Sequence, residues 1–237
     1  MTFGRARHPE WKGVASERLG VGEWSSEEPM ATTLALPEQR VLLKVSWETY
    51  ERLLAEHVDS PGTRFTYDRG LLEIMVVYVG HEDPNRTLAL LVEIVAEETN
   101  RDLFAAGSTT FKREDLEKGF EPDSSFYFDE RAERVRGKTE LDLLADPPPD
   151  LIIEIDITRS SLPRLPIFAA MGVPEVWRYD GTRVVFYRLA EGSYVKIERS
   201  IALPPLTSRQ ASVFLVESRR EKRPAWLRRV REWVRAQ

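Results

Sequence analysis

Three acids in two short segments carry the strongest chemical signal in this sequence: Asp123, closing Glu121-Pro122-Asp123, and the pair Glu154 and Asp156 inside residues 149–156. Residues 125–128 are short and aromatic, and residues 151–157 form a Leu/Ile run interrupted by the two acids. Apolar runs of this length, bounded by Pro and Gly, read as buried strands, and these two read as neighbours in one sheet. A carboxylate in such a strand is costly to desolvate unless a cation or a hydrogen-bond network compensates it. Hard divalent cations want oxygen ligands, and Mg²⁺ is usually held by one or two carboxylates, with water and substrate phosphate completing the shell. Asp123 and Glu154 supply such oxygens, and the Ile155 carbonyl is available as a third. A cation there can lower the pKa of a water and neutralise charge at a scissile phosphate. The bland alternative is a pair of strand-end acids matched to nearby arginines.

The flanking sequence must position these acids. Residues 46–57 open on Ser46, an N-cap residue, and place Trp47, Tyr50, Leu53 and Leu54 at helical spacing. Residues 64–67 and 71–78 flank Asp68-Arg69-Gly70 and predict a hairpin whose second strand carries Glu73. His81 follows. Asp83-Pro84 reads as the cap and first residue of a helix to about residue 100, with Leu88, Leu91, Val92 and Val95 on one face and Glu93 and Glu97 on another. Residues 104–111 and 124–128 predict strands around a polar connection holding Lys112 and Arg113, and residues 162–172 predict a helix ended by Gly172. Strands are predicted at 176–178, 183–188 and 194–198, and two amphipathic helices after Thr207, the second carrying Trp226, Leu227, Val230 and Trp233. Helices alternating with apolar strands imply an α/β or α+β fold, a central mixed β-sheet flanked by helices.

Bulk properties narrow the function classes. The 237 residues suffice for one full core, and 42% hydrophobic with 31% charged residues is an ordinary globular balance. A net charge of −5 provides no global attraction to DNA or anionic lipid, so nucleic-acid binding would need a local basic surface. The absence of cysteine excludes disulfides, a thiolate zinc site and a Cys nucleophile. No apolar run approaches a membrane span and residues 1–30 lack an apolar signal core, so a cytoplasmic protein is expected. Residues 1–40 are polar and aperiodic and read as a disordered extension, with Met30 a candidate translation start. Residues 41–206 then form the main domain, followed by the helices of 207–237.

Several stretches together carry a resemblance: residues 67–75, His81 before a helix, Ser108 to Lys112, Glu121-Pro122-Asp123, residues 147–157 and residues 172–180. Over about residues 45–206 the chain resembles the Uma-type restriction endonucleases, a group within the PD-(D/E)XK nuclease superfamily. That resemblance implies a restriction-endonuclease-like sheet flanked by helices, Mg²⁺ (or Mn²⁺) as cofactor, DNA as substrate and frequent action as a homodimer. It implies metal ligation by Asp123 and Glu154, and it matches Glu73 and His81 to further acid and His positions. The superfamily lysine would fall at Asp156. In this family it has moved into the following helix, in a Lys, three residues, Tyr pattern that reads Arg164 and Phe168 here. Arg keeps the positive charge but accepts protons poorly and differs in shape.

Each assignment has a plainer counterpart. Asp156 is either a site residue or a helix N-cap or partner of Arg159, and Arg164 either replaces the lysine or is an ordinary helix arginine. His81 is a general base or substrate contact, or a residue that caps or packs. Glu73 takes a site role on the same reasoning, whereas Glu93 on a helix face is expected to be solvated. Lys112, Arg113 and the Arg-rich stretch 219–235 could contact a DNA backbone, or could be a solvated basic surface whose Trp226 and Trp233 dock on the core.

Overall fold

The alternation of short strands and amphipathic helices resolves into eleven strands and six α-helices among residues 39–57, 62–157 and 162–237, which the computed structural model describes. The chain opens with β1 (Gln39–Lys44), α1 (Trp47–Glu56), β2 (Thr63–Asp68), β3 (Leu71–Val76) and α2 (Val79–Glu98). The short strands β4 (Leu103–Ala105), β5 (Phe111–Arg113) and β6 (Lys118–Phe120) follow, then β7 (Ser124–Phe128), α3 (Asp129–Val135) and β8 (Leu151–Ile155). After α4 (Arg164–Ala170) come β9 (Glu175–Tyr179), β10 (Val184–Ala190), β11 (Ser193–Ile197), α5 (Ser208–Ser218) and α6 (Arg223–Arg235). Residues 1–38, 58–61 and 158–161, with the expected N-terminal extension and the Met30 start, lie outside the described residues.

The architecture is α+β, with two sheets. A mixed six-stranded sheet runs β11-β10-β9-β8-β7-β4, its β8 and β9 parallel and joined through α4. Parallel neighbours need such a crossover. β8 is buried at every residue because helices cover both faces of the sheet. On one side Leu88, Leu91, Val92 and Val95 of α2 and Trp226 and Val230 of α6 pack on Leu151, Ile153 and Ile155. On the other, Ile167 and Phe168 of α4 meet Ile152 and Val176.

The second sheet was not foreseeable from periodicity. It runs β1-β3-β2-β6-β5, wholly antiparallel, and carries α1 on one face through Trp47 and Tyr50 against Phe65, Tyr67 and Leu72. Ser46 caps α1, accepting from the Thr49 N–H at 3.3 Å. The β2–β3 hairpin turns through Arg69 and Gly70, both at positive φ (44° and 88°), as two-residue hairpin turns require. At Gly119 on β6 the requirement is close approach: a Cβ there would lie 2.1 Å from the Tyr50 hydroxyl oxygen.

Four expectations need correction. Residues 104–111 are not one strand; they divide between β4 and β5, in different sheets, at a turn through Gly107 with φ 61°. Helix α2 starts at Val79 rather than at Pro84 with Asp83 as its cap, so Pro84 sits inside the helix and removes one backbone hydrogen bond there. Gln39 and Arg40, read as part of the disordered stretch, belong to strand β1, because register with β3 recruits them. Asp129–Val135, for which the sequence predicts no element, forms a short helix.

Candidate functional site

Strand register places the two acids together. Ser124 on β7 pairs with Ile153 on antiparallel β8, so one step along the ladder sets Asp123 opposite Glu154, and directly opposed residues share a face. The Ile155 N–H donates to Asp123 Oδ2 at 2.7 Å, which ties the start of β7 to β8. Both carboxylates are 4% exposed. Burial raises Asp123 to about 6 against the pull of Arg164, and raises Glu154 to about 7, with Asp123 adding like-charge repulsion.

The other expected residues converge from three further elements. Arg164, first residue of α4, donates from Nη1 to Glu154 Oε2, and its Nη2 lies 3.9 Å from Glu73 Oε1 on β3. Its own pKa is raised: burial would lower it, but Glu154 and Asp123 outweigh burial. His81 on α2 is wholly buried with Nε2 3.4 Å from Asp123 Oδ2. Asp156 pairs with Arg178 on β9; the expected partner Arg159 lies outside the described residues. A pocket of about 390 Å³ opens beside Glu154, lined also by Asp156, Arg164 and Arg178; Asp123, Glu73 and His81 do not line it.

Two residues essential to this geometry escaped the sequence reading. Arg40, in the stretch read as disordered, donates from Nη1 to Glu73 Oε1 at 2.8 Å and lines the pocket; nothing local marks it. Asn85 donates from Nδ2 to the Asp123 carbonyl at 3.1 Å and accepts from the Ser124 hydroxyl at 2.8 Å. Its place four residues after His81, on the same helix face, is a signal that could have found it.

Other expected residues stay away. Glu93 is exposed on α2. Lys112 pairs with Glu51 at 2.7 Å and Arg113 with Asp115 at 2.6 Å, both at the surface. Part of the basic tail is matched within the chain, Arg219 to Asp83, Arg231 and Arg235 to Glu98 and Arg229 to Glu217 and Glu221, while Trp226 is buried and donates from Nε1 to the Phe214 carbonyl at 2.8 Å.

Does the donor set suit a divalent ion? Among the described residues no group of three or more His, Cys, Asp or Glu forms a cage. Two carboxylates on one face nevertheless fit an ion such as Mg²⁺ that keeps water and substrate oxygens in its shell. Glu154 Oε1 supports that fit, being buried with no hydrogen-bond partner.

Comparison with known proteins shows the family. A family model described as "Uma2: Putative restriction endonuclease" matches residues 47–215, well over half of the chain, a span that includes Glu73, Asp123, Glu154 and Asp156. The chain belongs to this family. No curated protein sequence matches it. Among solved structures, the "putative nuclease belonging to DUF820 from Anabaena variabilis ATCC 29413" is similar at 16% identity with a TM-score of 0.48, over 68% of this chain and 98% of that one. The Uma2 match begins at α1 and so leaves out β1 with its Arg40, and it ends within α5, short of the docking helix α6.

Proposed function

We propose that this Uma2-family protein is a divalent-metal-dependent endonuclease that hydrolyses DNA phosphodiesters. The observation that carries the reading is the pairing of Asp123 and Glu154 on one face, Glu154 lining a pocket and its Oε1 buried and unpartnered. Asp123, Glu154 and the Ile155 carbonyl would hold Mg²⁺ or Mn²⁺, which when bound supplies Lewis-acid stabilisation of charge at the phosphorus. Arg164 keeps Nε and Nη2 without hydrogen-bond partners, donors suited to a phosphate oxygen. Arg40, bound to Glu73 on the same pocket, adds charge for the strand backbone. His81 beside Asp123 holds that carboxylate in place. The protein would work in solution: among the described residues no helix is long and apolar enough to cross a membrane.

Plasmid nicking with Mg²⁺ or Mn²⁺, run beside Glu154→Ala, tests the reading; equal rates in the two proteins would remove it. A second reading has its own observation. The position where the family carries lysine is an arginine already bound to Glu154, the arrangement of a nuclease fold that binds DNA without cutting it. Binding unaffected by chelator, together with no cleavage, favours that reading. A gain of cleavage in Arg164→Lys would show the rest of the site to be competent.

A further inference from the structure

The pocket in front of Glu154 offers more than a phosphate requires. Its volume of about 390 Å³ falls in the range of small-molecule sites, roughly 300–1,000 Å³. Its accessible wall is mainly carbon, from Pro163, Leu165 and Pro166 on α4 and its approach, with Phe168 and Val176 buried behind them. Guanidinium groups of Arg40, Arg164 and Arg178 stand around that wall. Asp156 binds Arg178 through Oδ2, whereas its Oδ1 is buried without a hydrogen-bond partner. A buried acceptor without a partner is a cost that a ligand donor removes.

A phosphate would leave the apolar wall bare, and a base stacked inside a duplex cannot enter a concavity. An unstacked base fits both halves of the lining, because its faces are apolar and stack on side chains while its edge carries donors and acceptors. We propose that this pocket takes one unstacked nucleobase of the strand to be cut, with the Asp156 carboxylate accepting from an exocyclic amino group. The inference rests on the nuclease reading above and adds to it a substrate presented as single strand or with one nucleotide flipped out. A base seated against Leu165 and Pro166 leaves its sugar and phosphate at the arginine-lined rim beside Glu154. Cytosine and adenine carry the required amino group and thymine does not, which makes Asp156 the residue that sets preference.

The test measures binding in chelator, so that it is independent of cleavage. Short dye-labelled strands, abasic except for one central adenine, cytosine or thymine, are compared by fluorescence anisotropy with a wholly abasic strand. Adenine and cytosine strands should bind on the order of tenfold more tightly than the abasic strand, with thymine weaker than both. Asp156→Asn, nearly isosteric and able both to donate and to accept, should bring thymine level with cytosine. Leu165→Trp, checked for folding by circular dichroism, should reduce every strand to the abasic level; if it fails to fold, Asp156→Asn carries the comparison. Equal affinity for base-bearing and abasic strands overturns the proposal while plasmid nicking leaves the nuclease reading standing. Absence of binding by every strand overturns it too, and absence of nicking as well would remove both readings.

Discussion

Arg164 binds Glu154 across the gap between α4 and β8, and the same guanidinium approaches Glu73 on β3, so one cation links an acid of the mixed sheet to an acid of the antiparallel sheet. Three carboxylates, Asp123, Glu154 and Glu73, are buried around it. Breaking a buried pair by removing one partner leaves an uncompensated charge and costs far more than the pair contributes on balance. Arg164→Met should therefore destabilise the protein by about 3–5 kcal/mol near pH 8. At pH 5, where Asp123 and Glu154 take up protons, the loss should shrink. Urea denaturation at the two pH values checks this, and an equal loss at both would refute the linkage.

Much of the site was legible because strands advertise themselves. Leu151–Ile155 is apolar on both faces, so an acid within it demands an explanation, and Asp123 precedes a run of the same kind. The amphipathic helices α1, α5 and α6 followed from 3.6-residue spacing, with Ser46 capping α1 as expected. What stayed hidden depends on pairing between distant segments. β1 has four of its six residues exposed apolar or basic and no period of its own, yet register with β3 brings Arg40 to Glu73. The split of 104–111 between two sheets is likewise decided by partners, because β4 pairs with β7 and β5 with β6. Arg178, in a strand otherwise read as core, takes Asp156 away from the role of helix cap because parallel pairing sets it beside Glu154.

Asn85 is a positioning residue in this geometry, since it holds the Asp123 carbonyl and the neighbouring Ser124 hydroxyl without reaching the pocket itself. Asn85→Ala should lower Mn²⁺ affinity by about 10-fold to 100-fold, the usual effect of losing a group that orients a ligand. Isothermal titration beside Asp123→Ala reads the effect. Asn85→Asp keeps the acceptor for Ser124 and should lose less than Asn85→Ala; the reverse order would assign Asn85 a merely structural part.

The C-terminal helix is held by its apolar face. Trp226 is fully buried, stands in the same cluster as Val230 and Phe214, and spends its N–H on the Phe214 carbonyl. Trp226→Ala should cost about 3–5 kcal/mol, as large-to-small changes in a packed core do. Replacing Arg235 with Ala should leave stability unchanged within error, because its pair with Glu98 is solvent-exposed and screened by salt. Thermal melts of the two variants distinguish packing from ion pairing as the force that seats α6; comparable losses would contradict this account.

The raised carboxylates fix a sign for pH dependence. Asp123 and Glu154 titrate near 6 and 7 in the folded chain, above the ordinary carboxylate values, because burial disfavours their charged forms. The native state therefore keeps protons that the unfolded chain has released. Their stabilising contribution is complete below about pH 4 and is lost as pH rises through 6 to 7, a decline on the order of 3 kcal/mol between pH 5 and pH 8 without divalent ions. Burial raises Glu121, Asp150 and Glu175 in the same direction, so some slope must persist when the pair is removed. Glu154→Gln mimics the protonated form and should flatten the curve toward that residual slope. Cation binding requires the ionised acids, so Mn²⁺ should raise the melting temperature more at pH 8 than at pH 6 in the wild-type protein and hardly at all in Glu154→Gln. Parallel pH profiles for the two proteins, with equal Mn²⁺ shifts, would dissociate both the titration and the cation from Glu154.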